Sequence, residues 1–195
     1  LAQASERGQH ARNQDFHGAC VPNEEGVPTK GVVLAIADGV GSSEVAHLAS
    51  DIAVRSMLED FFSTPASWSI RKSAQRVIEA TNGWLYAQSR QAGHTGARRD
   101  QACACTLSVL VLHSCTVHVF HVGDARIYRL RQGELEQITQ DHSVFIDGQK
   151  GVSRVLGVAQ HVEVDHESQP IDIGDVFALM TDGVHEHVDT GALRH

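Results

Sequence analysis

Two aspartates in the chain each stand directly after an apolar run and directly before a glycine. Asp38 follows Val-Val-Leu-Ala-Ile-Ala and precedes Gly39, and Asp182 follows Val-Phe-Ala-Leu-Met-Thr and precedes Gly183. An apolar strand that ends at Asp-Gly holds a carboxylate at the edge of a sheet, and the glycine lets the backbone turn and bring its carbonyl toward a ligand. A single Asp-Gly usually marks a turn, so the repetition is what indicates a site.

Two further aspartates extend this pattern. Asp15 ends Asn13-Gln14-Asp15, and Asp124 follows Phe-His-Val-Gly. Carboxylates that converge repel each other unless positive charge lies between them. A hard divalent cation suits a cluster of ligands that are all oxygen. The aspartates therefore predict a divalent metal site.

The composition of the chain indicates how many domains it has and which classes of partner are not expected. The chain of 195 residues is 42% hydrophobic and has a formal net charge of −8 with histidine neutral. This predicts one domain with its own core. No basic stripe is available to displace counterions from phosphates, so we expect no nucleic-acid partner. The apolar runs at 32–37 and 107–112 are too short to span a bilayer, so we do not expect this domain to contact a membrane.

The cysteines indicate the compartment. The spacing of Cys20, Cys103, Cys105 and Cys115 fits neither a disulfide framework nor a paired zinc motif. We interpret them as small buried residues of a reduced, cytoplasmic protein.

The order of predicted elements indicates the fold class. Strands are predicted at 1–5, 16–21, 32–37, 103–112, 116–122, 125–131, 162–165 and 176–180, with a turn at 131–134. Helices are predicted at 44–62, capped by Ser42 or Ser43, at 67–91, capped by Ser67, and around 143–156, and a loop at 91–101. Strands, a helical pair and then more strands form an α+β order. We expect a sandwich of two antiparallel β-sheets flanked by helices.

Five motifs together resemble a known family. They are Asn13-Gln14-Asp15, Ala37-Asp38-Gly39, Val122-Gly123-Asp124-Ala125-Arg126, Thr139-Gln140-Asp141-His142-Ser143 and Thr181-Asp182-Gly183. Their order and spacing resemble those of the type 2C (PPM) metal-dependent protein phosphatases over essentially the whole chain. The residues around these motifs resemble those of a bacterial subgroup whose phosphatase domain is joined to a C-terminal protein kinase domain.

The resemblance implies an activity, a cofactor and partners. The expected activity is hydrolysis of phosphoserine and phosphothreonine in proteins by a metal-activated water, within a single phosphatase-like domain at 1–195. The expected cofactors are two Mn or Mg ions, with a third, more labile site. The expected partners are a phosphorylated protein and, in a longer protein, the C-terminal kinase domain.

The resemblance also implies roles for individual residues. Asp38 is the ligand that both metals share, and the carbonyl of Gly39 supports the second metal. Asp182 binds the first metal, so Asp38 and Asp182 are the expected catalytic residues. Asp124 forms the third site together with Asp182, and Asp15 stands in or just behind the second-metal shell. His10 or Arg12 is expected to bind the substrate phosphate.

Departures from the family pattern keep an alternative open. Gln14 stands where the family commonly has Glu, and His10 stands where it commonly has Arg. The family's last metal ligand, an Asp in an Asp-Asn motif, has no counterpart before His195. We therefore expect residues 1–195 to lack that ligand, together with the family's last helix and strands, and to bind metal weakly. The alternative function is a degenerate, non-catalytic domain with a binding or regulatory role.

The histidines favour a structural interpretation. His185-Glu186-His187 lacks the HExxH spacing that places two imidazoles on one helical face. His118 and His121 are expected to face opposite sides of a strand. His142 is expected to cap a turn rather than to act in catalysis. We therefore expect surface or hydrogen-bonded core histidines and no zinc hydrolase site.

Overall fold

The computed structural model describes residues 1–8, 12–22, 30–41, 45–91, 93, 102–146, 148–189 and 191. The elements in chain order are β1 (Asp15–Cys20), β2 (Val32–Asp38), α1 (Ala46–Ser63), α2 (Ile70–Gln91), β3 (Leu107–His113), β4 (Thr116–Val122), β5 (Arg126–Arg131), β6 (Glu134–Gln137), β7 (Ser143–Ile146), β8 (Gln149–Val152), β9 (Asp165–Pro170), β10 (Val176–Met180) and α3 (Asp182–His185).

The larger sheet is antiparallel and has the strand order β1-β2-β3-β4-β9. One of its faces packs against α1 and α2, and the apolar side chains between them form the main core. Its largest fully buried members are Phe61, Phe120, Met57, Ile78, Leu85 and Leu107. Burial of this apolar area is the dominant favourable term for the fold.

A second, smaller sheet has the order β10-β5-β6 and is also antiparallel. Buried side chains of β3, β4 and β5 form a second core cluster, against which Phe177 and Leu179 of β10 pack. The second core cluster thus lies between the two sheets, and the main core lies between the larger sheet and the helical pair. This arrangement confirms the predicted α+β sandwich.

The helices begin later than predicted. The N-cap of α1 is Val45, which makes no side-chain capping bond, and the predicted caps Ser42 and Ser43 lie outside the described residues. In α2 the Oγ of Ser69, not of Ser67, accepts the N–H of Lys72 at 3.2 Å. A serine three residues before that N–H can reach it, whereas Ser67 lies two residues too early.

A buried lysine joins the two helices. Nζ of Lys30 donates to the carbonyls of Phe61 at 3.0 Å and of Thr64 at 2.8 Å, and to Oγ of Ser73 at 3.1 Å. It therefore satisfies carbonyl groups that the end of α1 leaves without helical partners.

Three predicted elements are wrong. Residues 1–5 are exposed and in no strand, as their small and polar side chains allow. The predicted helix at 143–156 is the hairpin β7–β8, because Ser-Val-Phe-Ile favours a strand and Gly148, at φ 80°, turns the chain. The strand predicted at 162–165 instead runs from Asp165 to Pro170, since pairing with β4 overrides its weak propensity.

Other predictions are partly met. The strand predicted at 103–112 pairs from Leu107, with only isolated bridges from Cys105 to Gly39 and to Leu156. Cys103 and Cys105 are buried as predicted, whereas Cys115 is exposed and Cys20 half-buried. The predicted loop at 91–101 lies almost wholly outside the described residues. None of the described helices has the length and hydropathy that crossing a membrane requires.

Candidate metal and phosphatase site

The ends of β1 and β2 place two carboxylates side by side. Asp15 and Asp38 are direct partners in the antiparallel register. The backbone of Asp38 is also fixed from β3's side, because its N–H donates to Oγ1 of Thr106 at 3.0 Å and its carbonyl accepts the N–H of Thr106 at 2.8 Å. Both backbone groups of Asp38 are therefore fixed by Thr106, while its neighbour Gly39 makes the bond to β1's side.

Gly39 lets the chain leave β2 at close quarters. Its N–H donates to the carbonyl of Gln14 at 3.0 Å. A Cβ at this position would lie 2.5 Å from the carbonyl oxygen of Ala46 at the start of α1. Only glycine fits this approach, which explains the Asp-Gly pair seen in the sequence.

The second Asp-Gly pair reaches the same place from the smaller sheet. Oγ1 of the buried Thr181 donates to Oδ2 of Asp15 at 2.8 Å, which ties the end of β10 to β1. Asp182 begins α3, and its Oδ1 accepts the N–H of Gly183 at 2.7 Å. Thr181 thus sets the distance between the two sheets at this edge.

Asp124 arrives on the loop between β4 and β5 and is 4% exposed. The preceding Gly123 has φ 117°, and a Cβ there would lie 2.5 Å from the side chain of Thr106. The carbonyl of Asp124 accepts a hydrogen bond from Nε2 of the buried His185 at 3.0 Å.

The other three aspartates converge electrostatically on Asp38. Burial is the largest cause that raises the pKa of Asp38, and the charges of Asp15, Asp182 and Asp124 and a hydrogen bond with Asp15 raise it further, to about 9. A carboxyl group resists ionisation in this way when negative charge around it is not compensated. The structure therefore brings together the carboxylates that the sequence singled out.

The donor set fits a hard divalent cation, because all its side-chain donors are carboxylate oxygens and their excess negative charge is what such a cation neutralises. Among the described residues, no three or more His, Cys, Asp or Glu side chains are placed as a group that could hold a metal ion as they stand. The metal-ligand roles of Asp15, Asp38, Gly39, Asp124 and Asp182 remain predictions.

The structure describes one of the two predicted phosphate-binding residues. His10 lies outside the described residues. Nη1 of Arg12 lies 3.2 and 3.3 Å from the ring nitrogens of His47 near the start of α1. Gln14 directs its side-chain amide to the carbonyl of Gly41 at 3.3 Å. Phosphate binding by Arg12 remains a prediction.

Comparison with known proteins decides the family. A family model described as protein phosphatase 2C matches residues 2–194. The chain belongs to the protein phosphatase 2C family. This membership places it among the protein serine/threonine phosphatases. The curated relatives to which the chain is similar are bacterial proteins of the same kind.

Two curated relatives illustrate the similarity. The chain is 26% identical over 204 residues to the serine/threonine phosphatase stp of Listeria monocytogenes, covering 92% of this chain and 75% of that protein. It is 25% identical over 182 residues to the serine/threonine protein phosphatase PstP of Mycobacterium tuberculosis, covering 85% of this chain and 34% of that protein.

Solved structures support the fold. The serine/threonine phosphatase of S. agalactiae superposes with a TM-score of 0.79 at 21% identity, covering 95% of this chain and 80% of that one. The Mycobacterium tuberculosis phosphatase PstP/Ppp gives a TM-score of 0.75 at 21% identity, covering 95% and 78%.

Sequence reasoning missed the side chains that hold the aspartates. Thr181 belongs to one of the five motifs, and its position next to Asp182 was the available signal. Thr106 and His185 gave no signal, because the groups that they bond, on Asp38 and Asp124, lie 68 and 61 residues away in the chain. His142 does cap a backbone N–H, but that of Gly123, 19 residues away, rather than one in its own turn.

Proposed function

We propose that this chain hydrolyses phosphoserine and phosphothreonine in proteins, with Mn²⁺ or Mg²⁺ held by Asp38, Asp182, Asp15 and Asp124. The observation that carries the proposal is the convergence of the other three carboxylates on Asp38, whose pKa is raised to about 9 first by its burial and then by their charges. The names of the relatives, which are serine/threonine phosphatases, support the substrate class.

When bound, the ions would supply a water that ionises near neutral pH and would neutralise the charge of the phosphate. The chain's own residues supply the position. Asp38 lies at the centre of the carboxylates, Gly39 allows α1 to start against the end of β2, and Thr181 fixes Asp15 against the end of β10. Because these groups are held before substrate binds, little reorganisation is needed for the reaction.

The alternative, a non-catalytic domain of the same fold, is favoured by one observation. Gln14 carries no charge and donates its amide to Gly41, so it adds no negative charge to the metal-binding edge. The retained aspartates favour the catalytic function, since a purely structural site would gain nothing from four carboxylates that repel each other.

Hydrolysis of a phosphothreonine peptide and of p-nitrophenyl phosphate tests the proposal. We expect turnover with Mn²⁺ or Mg²⁺, none after chelation, and loss of metal-dependent turnover in Asp38→Asn. Asp60→Asn makes the same change on the exposed surface of α1 and should retain the wild-type rate. Turnover that survives chelation, or an Asp38→Asn variant as active as Asp60→Asn, would exclude the metal mechanism. A wild-type protein that binds Mn²⁺ but turns over neither compound would favour the non-catalytic alternative.

A further inference from the structure

The loop that carries Asp124 is held by hydrogen bonds from other segments. The N–H of Gly123 donates to Nδ1 of His142 at 3.0 Å, and the N–H of His142 donates back to the carbonyl of Gly123 at 2.7 Å. The carbonyl of Asp124 accepts from His185. His142 therefore forms two hydrogen bonds with Gly123, the residue next to Asp124, one through its backbone and one through its side chain.

The partners of His142 determine which ring nitrogen carries the hydrogen. Because the Gly123 N–H is a donor, Nδ1 must accept, and Nε2 then carries the hydrogen. Nε2 lies 2.9 Å from Oδ2 of Asp165, to which it donates. Nη1 of Arg154 lies 3.1 Å from the same Nε2, and because both groups are donors it bonds Oδ1 of Asp165 instead, at 2.6 Å. Asp165 thus holds the imidazole in the tautomer that Gly123 requires.

We propose that His142 is a positioning residue for the metal centre, which fixes the Asp124 carboxylate toward Asp38 by accepting the N–H of Gly123. This inference rests on the proposed function, because it takes Asp124 to be a metal ligand. The side chain of His142 is 9% exposed, so water has poor access to replace the lost acceptor. An unpaired buried N–H is destabilising, and the loop would move to relieve it.

Two conservative substitutions separate positioning from a merely structural role. In His142→Asn, Oδ1 takes about the place of Nδ1 and can accept from Gly123, while the contact with Asp165 is lost. In His142→Gln, Nε2 takes about the place of the ring Nε2 and can donate to Asp165, while no acceptor faces Gly123. A role confined to the ion pair of Asp165 and Arg154 would be preserved in glutamine and lost in asparagine. Positioning predicts the reverse.

Calorimetric titration with Mn²⁺ measures the effect on the centre. We expect His142→Gln to weaken the Asp124-dependent binding by about tenfold or more, as the loss of groups behind metal ligands commonly does. His142→Asn should stay close to wild type, and His161→Gln, on an exposed residue, should equal it. In an Asp124→Asn background His142→Gln should have no further effect on Mn²⁺ affinity, because the residue through which it acts is gone.

Nitrogen NMR of the metal-free protein provides a readout that does not depend on activity. The ring of His142 should show hydrogen on Nε2 only, and the Gly123 amide should exchange slowly in wild type and His142→Asn but faster in His142→Gln. Equal Mn²⁺ affinity in the two variants, the reverse order of affinities, or an effect that persists in the Asp124→Asn background would overturn the positioning role of His142. The proposed function would stand in each of these cases, provided that the wild type hydrolyses the phosphopeptide. A wild type that binds Mn²⁺ without hydrolysing phosphopeptide would remove the proposed reaction and leave the positioning role intact.

Discussion

The candidate centre has two sides that are built differently. Asp15 and Asp38 end two paired strands, and their ladder continues through the pair Cys20 and Val33. Asp124 instead lies between strands, on a loop whose backbone is held by side chains from elsewhere in the chain. Among these are His142 on Gly123 and Ser108, whose Oγ lies 3.2 Å from the carbonyl oxygen of Ala125.

The difference predicts how each side responds to change. A ladder distributes its constraint over many backbone bonds, so the loss of one side chain leaves its strand ends in place. A loop held by a few buried side-chain bonds depends on each of them, because each loss leaves a buried polar group without a partner. The Asp124 side should therefore be the more sensitive to substitution and to acid.

The largest expected effect is that of Gly123→Ala. Its φ of 117° and the 2.5 Å approach of a Cβ to Thr106 combine strain with overlap, and we expect the free energy of unfolding to fall by about 4 kcal/mol. Gly133→Ala is the matched control, because Gly133 has φ 83° but nothing within 4 Å of a Cβ. Its loss should be about 1 kcal/mol. Urea unfolding that gives equal losses would show that the approach to Thr106 is not tight.

The next largest effect is a fall in the free energy of unfolding at acid pH, caused by a histidine beneath the loop that carries Asp124. His121 lies beneath the loop, where it contacts Oγ of Ser108 at 2.8 Å and donates to the carbonyl of Gln140 at 3.1 Å. Burial and then the neighbouring His142 lower the pKa of His121 from 6.5 to about 4, although Asp165 opposes them. The unfolded chain therefore binds more protons over this interval, so stability falls as the pH drops from 6.5 toward 4.

We expect this fall to reach about 3 kcal/mol at most, since one pKa unit corresponds to about 1.4 kcal/mol. Unfolding measured at a series of pH values should show the slope in wild type and in His161→Gln, and a smaller slope in His121→Gln. If His121→Gln retained the full slope, another group would be responsible and the loop side would not be the acid-sensitive one.

The sequence predicted the ladder side of the centre better than the loop side. The apolar runs that became β2 and β10 end where predicted, and the Asp-Gly pairs are local signals of a sheet edge. The strand β9 was missed because its pairing with β4 depends on distant residues rather than on local propensity. The hairpin β7–β8 was missed although its signals, the strand-forming Ser-Val-Phe-Ile and the turn at Gly148, are local. The partners His142 and Asp165 of the loop side are brought together by those same elements, so local patterns could not reveal them.

A smaller effect should follow from Thr181→Val, which removes the hydroxyl that donates to Asp15 but keeps the shape of the side chain. We expect a loss of about 1 kcal/mol, with Asp15 still held by its ladder. Thr181→Ser keeps the hydroxyl and should bind Mn²⁺ as wild type does. A collapse of the fold in Thr181→Val would show that the ladder does not by itself secure this side.

Mn²⁺ binding to Asp38→Asn tests most directly the claim that the four carboxylates form one metal centre. Calorimetry should show binding to the wild-type chain and to Asp60→Asn, and none to Asp38→Asn, because the variant loses the carboxylate on which the other three converge. Wild-type affinity in Asp38→Asn would contradict this account.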